Sequence, residues 1–132
     1  MSKPTPTQSP PSPRPTEAEL EILKALWRLG AATVRDVHTH LGPRTGYTTI
    51  LKLMQIMANK GILTRETSGR SHVYRPTHAE AHTQRRLVAD LMTRAFGGSA
   101  RKLIAAALSS RRATPAELEE IQRLLDEAKG DV

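Results

Sequence analysis

The apolar positions fall into three helical stripes, then a short alternating stretch, then three further helical stripes. The first stripe opens at Thr16-Glu17-Ala18-Glu19, a capping box in which the Thr16 hydroxyl serves the Glu19 amide and the Glu19 carboxylate returns to Thr16. Leu20, Leu23 and Trp27 then share a face, with Ile22 and Leu26 beside them, and Gly30 ends the helix. A shorter helix follows: Thr33 caps it, Asp36 sits in its first turn, Val34, Val37 and Leu41 keep the period, and Gly42-Pro43 stops it. After the connection Arg44-Thr45-Gly46 a third helix runs over about 47–60 and closes at Gly61. Ile50, Leu53, Met54 and Met57 form its apolar stripe; Thr48, Thr49, Lys52, Gln55 and Asn59 lie mostly opposite.

The period then changes to two. Residues 62–66 and 71–75 read as a β-hairpin around Thr67-Ser68-Gly69-Arg70, ended by Pro76. Two strands alone are marginally stable, so the hairpin must rest on the helices. Thr77-His78-Ala79-Glu80 reads as a second capping box, opening a helix to about 96 with Leu87, Val88, Leu91, Met92 and Ala95 on one stripe. Gly97-Gly98 breaks it. Ser99 caps a helix carrying Leu103, Ile104, Ala107 and Leu108. Thr114, Pro115 and Glu117 open the last, with Leu118, Ile121, Leu124, Leu125 and Ala128 as its stripe. The expected fold is mainly α: a winged helix-turn-helix with a small β-hairpin wing over 16–76, then a three-helix unit over 77–129. Residues 1–15, mostly Pro, Ser and Thr, bury too little to order and are expected to form a disordered arm.

Composition narrows the function. The 132 residues suffice for one compact domain and a helical appendage. Twenty Lys and Arg against 13 Asp and Glu give a formal charge of +7, which favours a polyanionic partner. The absence of cysteine excludes disulfides, thiol catalysis and thiolate metal sites, and fits a cytoplasmic protein. Neither a membrane span nor a signal peptide is expected. His78 and His82 have a zinc-compatible spacing, but no third ligand follows, and no metal or cofactor is expected. No carboxylate pair suits acid–base work, and Ser71-His72 lacks a buried acid to orient the histidine, so no catalytic residue is assigned. No residues converge on an obvious ligand pocket.

A helix-turn-helix packs one helix by one face and offers the other to the major groove of double-stranded DNA. The third helix suits that part: Tyr47, Thr48 and Thr49 near its start, then Lys52 and Gln55, can meet phosphates or base edges. Arg35, Arg44 and Thr45 flank it, and Arg70 and His72 belong to the wing. The aliphatic stripes of the C-terminal helices need cover, either by folding back on the first unit as ordinary core or, the favoured expectation, by a second copy across a two-fold axis through Leu87, Val88, Leu91, Met92, Phe96, Leu103, Leu118, Ile121, Leu124 and Leu125. The reading is a homodimeric repressor on a palindromic operator. Two rivals stay open: a non-specific architectural DNA binder, and a winged-helix module that docks another protein, for which exposed Leu51 and Ile56 would speak.

The segments TEAELEILKALWRLGAATVRDV, GYTTILKLMQIMANKGILTRE, GRSHVYRP and MTRAFGGSARKL carry a likeness over about 16–128. In Trp27, the Tyr47-Thr48-Thr49 opening, the Lys60-Gly61 stop, Tyr74-Arg75-Pro76 and Gly97-Gly98 the chain resembles the penicillinase-repressor family of winged-helix transcriptional regulators, the BlaI/MecI/CopY group. The resemblance implies a homodimer repressing antibiotic-resistance or copper genes, with an inactivating protease or antirepressor as further partner. Three departures stand out. The cysteine cluster of the copper-responsive branch is absent. The Asn–Phe bond cleaved in staphylococcal members aligns with Ala106-Ala107. Ile56 stands where many members carry arginine, so either a phosphate contact is missing or Ile56 packs under the wing.

Overall fold

A computed structural model describes residues 14–130, with Ser68 described by its backbone only. The arm expected over 1–15 therefore lies, except for its last two residues, outside the described residues. The elements are α1 (Glu17–Leu29), α2 (Val34–Leu41), α3 (Tyr47–Asn59), β1 (Leu63–Ser68), β2 (Ser71–Pro76), α4 (Glu80–Ala95), α5 (Ala100–Ser110) and α6 (Pro115–Gly130). Two compact units divide between Leu87 and Val88, so α4 begins in one and ends in the other.

Local chemistry sets the helix limits. Thr16 Oγ1 accepts from the Glu19 amide at 3.1 Å, and the Thr16 amide donates to Glu19 Oε1 at 3.0 Å. Thr33 and Asp36 repeat this reciprocal pair at α2, both at 3.1 Å, so Asp36 contributes a hydrogen bond as well as a favourable charge. Gly30 ends α1 at φ 83°, where a side chain would be strained, and donates its amide to the Leu26 carbonyl at 2.7 Å. Ser99 Oγ and Thr114 Oγ1 accept from the Lys102 and Glu117 amides and start α5 and α6.

The first unit buries Ile22, Leu23 and Leu26 of α1, Val34 and Val37 of α2, and Ile50, Met54 and Met57 of α3, closed by Leu63 and Tyr74 of the hairpin. The antiparallel register runs from Leu63 opposite Pro76 to Ser68 opposite Ser71. The turn is thus the pair Gly69-Arg70, tighter than the four-residue tip expected, because Gly69 takes φ 65° and the strands continue to the tip. Ala32 and Tyr74 exchange backbone hydrogen bonds, 3.0 and 2.8 Å, which adds a one-residue third strand at the α1–α2 connection.

Thr77 does not cap α4 as expected. Its hydroxyl donates to the Gly61 carbonyl at 2.7 Å and its amide to the Ile62 carbonyl at 3.0 Å, so Thr77 ties off the hairpin base and α4 starts at Glu80. Within α4, α5 and α6 no residue is buried. Among the described residues no helix is long and apolar enough to cross a membrane, and no cluster of three His, Asp or Glu side chains is placed to hold a metal ion.

The His78 and His82 rings stack at 4.4 Å, and the Trp27 indole donates to the His78 carbonyl at 3.1 Å. His82 Nε2 is shielded from solvent with no hydrogen-bond partner among the described residues. Desolvation first, then the positive charge of His78, Arg85 and Arg86, holds the His82 pKa below the ordinary histidine value. A histidine with a depressed folded-state pKa contributes stability that is intact above its unfolded pKa and lost as pH falls through the histidine range. Between about pH 7.5 and about pH 5 the parent should therefore lose more Tm than His82→Gln; equal losses in parallel thermal melts would remove His82 from the account.

Candidate nucleic-acid interface

Helix α3 sorts its side chains by angle. Ile50, Met54 and Met57 are within 1% of full burial, and Leu51 and Leu53 are partly buried against the same core. Thr48, Thr49, Lys52, Gln55, Ile56 and Asn59 are exposed on the other side. Leu51 therefore belongs to the core side rather than to an outer apolar patch. Ile56 is 39% exposed; two residues beyond buried Met54, it is rotated about 200° from that side chain.

The start of α3 differs from the capped starts of α1, α2 and α5. Gly46 is its N-cap and no side chain accepts a hydrogen bond there, so first-turn amides stay open at the positive end of the helix dipole. Tyr47, 44% exposed, stands edge-on to the His38 ring with centroids 5.9 Å apart. Arg35 on α2 and Arg44 in the connection are exposed, and Thr45 is half-buried. At the other end Lys60 caps α3, and its Nζ reaches Glu19 Oε2 at 2.9 Å; Glu19 is 2% exposed.

The wing carries Arg70 exposed in its turn and His72 exposed on β2, with His72 Nδ1 3.2 Å from Thr67 Oγ1. Arg75 is engaged by Glu66 at 3.3 Å. Arg35, Arg44, Lys52, Arg65 and Arg70 have no carboxylate partner among the described residues, so their charge faces solvent unneutralised. The expected dimer residues divide by exposure. Val88, Leu91, Leu118, Leu124 and Leu125 are 42–64% exposed, whereas Leu87, Met92, Phe96, Leu103 and Ile121 are half-buried. Ile104 and Leu108 of α5 are as exposed as the first group.

Two features were not read from the sequence. The Glu19–Lys60 pair joins residues 41 positions apart; Glu19 had a sufficient local role in its capping box, which masked its second one. An open groove lined by Glu21, Lys24, Trp27, Arg28, His40 and Glu80 collects side chains whose spacing carries no signal along the chain.

Three helices, a docked hairpin and an outward polar third helix define a winged helix-turn-helix protein. The chain belongs to the penicillinase repressor family, whose model matches residues 15–127. It is 25% identical over 123 residues to the penicillinase repressor of Bacillus licheniformis, covering 89% of this chain and 93% of that protein. It is 29% identical over 89 residues to the transcriptional regulator BlaI of Mycobacterium tuberculosis, covering 65% of this chain and 64% of that one. This kinship places the chain with transcriptional repressors and not with enzymes.

Glu19 fixes both the start of α1 and the end of α3, so Glu19→Ala should cost about 1–3 kcal/mol through the lost charged hydrogen bonds. Urea denaturation measures this directly, and an unchanged midpoint would show that the buried carboxylate holds nothing.

Proposed function

We propose that the protein is a sequence-specific DNA-binding repressor that occupies a palindromic operator as a homodimer and blocks transcription. The observation that carries the reading is the outer face of α3: short hydroxyls, Lys52 and Gln55 exposed on a rigid helix whose opposite side is fully buried. Such a face fits the major groove, and the unneutralised Arg44 and Arg70 supply backbone contacts beside it. Residues 16–76 form the DNA-binding unit in this reading. Residues 77–129 form the dimerising one, because three helices without a single buried residue need cover and their aliphatic stripes are self-complementary. The name of one relative, a penicillinase repressor, supports an antibiotic-resistance gene as the regulated class; in this reading the protein acts in the cytoplasm, and an inactivating protease or antirepressor releases the operator.

Selection of bound duplexes from a random-sequence library at about 0.15 M salt tests the reading. One recovered palindrome supports a dimeric site-specific regulator; binding without a motif favours the architectural alternative, and no binding favours a protein-docking role. On the recovered duplex, Lys52→Ala should weaken binding about tenfold, within the range for one lost base or charged phosphate contact; parent-like affinity across a salt series would remove Lys52 from the interface. Leu91→Asp should convert the dimer to monomer, since it places an unpaired charge in the apolar stripe. An unchanged mass by light scattering would take Leu91 out of the subunit contact.

A further inference from the structure

We infer that Ile56 is a specificity-determining residue that reads the 5-methyl group of thymine in the major groove, an inference that rests on the assignment of α3 as the recognition helix. Among the described residues of α3, Ile56 is the aliphatic side chain that the core does not use. Ile50, Met54 and Met57 are buried, Leu51 and Leu53 pack partly against the core, and Ile56 is 39% exposed. Scattered exposed aliphatics are ordinary on protein surfaces. The position of this one is not: Thr49 lies seven residues before it and Lys52 four before, with Asn59 three after, all exposed. At helical spacing these form one ridge on the face opposite the core.

A branched alkyl group on that ridge has one complementary feature in the groove. Base edges there present hydrogen-bond donors and acceptors, and the apolar exception is the thymine methyl. The methyl of Thr49 lies on the same ridge and extends the apolar strip by two turns. Ile56 carries no charge and displaces no counterion, so its contribution falls on base preference and leaves the salt dependence unaltered. An arginine at this position would act in the opposite way.

The test uses the full chain and the selected duplex, with thymines replaced one at a time by deoxyuridine, which deletes only the methyl. The parent should lose about fourfold in affinity at one thymine per half-site, the worth of one buried methyl-sized group. Ile56→Ala should bind the thymine duplex more weakly by about that factor or more, and at that position should no longer distinguish thymine from deoxyuridine. Both proteins should share one slope of log affinity against log salt and similar melting temperatures. Indifference of the parent to every replacement, a motif without thymine, or a variant that keeps the parent's thymine preference overturns the inference alone. Recovery of no motif overturns the recognition-helix assignment and this inference with it.

Discussion

The reciprocal hydrogen bonds between Ala32 and Tyr74 decide how this protein presents its surface. A two-stranded hairpin is marginal in water, and this one carries charged and hydroxyl side chains along most of its length. Ala32 lends it the edge of a third strand, and Tyr74, 1% exposed, inserts its ring into the core between the helices. Thr77 secures the open end by donating to the carbonyls of Gly61 and Ile62. The base of the wing is therefore as fixed as the helices, and only the tip at Gly69-Arg70 projects without tertiary support. β1 leaves α3 through a turn in which the Ile62 amide donates to the Met57 carbonyl, which ties the start of the wing to the end of the helix.

Charge is arranged on that surface by subtraction. Four acidic residues of the first unit are engaged within it: Glu19 with Thr16 and Lys60, Asp36 at the α2 cap, Glu21 with Lys24, Glu66 with Arg75. Lys52 on the outer face of α3, Arg44 before it and Arg70 at the wing tip are left without carboxylates among the described residues. Exposed ion pairs contribute little to stability. Omitting them here therefore costs the fold little and leaves a cationic surface available to a polyanion.

Most of this fold was legible along the chain because its determinants are local. Caps at Thr16, Thr33, Ser99 and Thr114, stops at Gly30, Gly42 and Gly61, and stripes such as Ile50-Met54-Met57 each span a few residues. What escaped the reading depended on distant partners. Thr77 has the right neighbours for a cap, yet a carbonyl 16 residues upstream takes its hydroxyl. Glu19 completes a cap with one oxygen and uses the other on Lys60, which no spacing rule links to it. Of the candidate site, the exposed polar face of α3 was legible from period alone. Ile56 was not, since its environment depends on packing, and the folded chain leaves it 39% exposed.

The two units solve burial differently. The first holds the entire buried core, assembled from α1, α2, α3 and the hairpin. The second has helices of comparable length and good caps but leaves Leu91, Leu118, Leu124 and Leu125 more than two-fifths exposed. Isolated helices of 11–16 residues are marginal in water, so caps alone do not sustain such a unit. With Phe96 as its one aromatic residue it lacks the large rings that anchor a small core, and its aliphatic rows gain most from a long, matching row. In the proposed homodimer a second copy would provide that row without any new sequence, and pairing would supply the core. If the proposed dimer forms, folding of this unit is coupled to association and its stability depends on protein concentration.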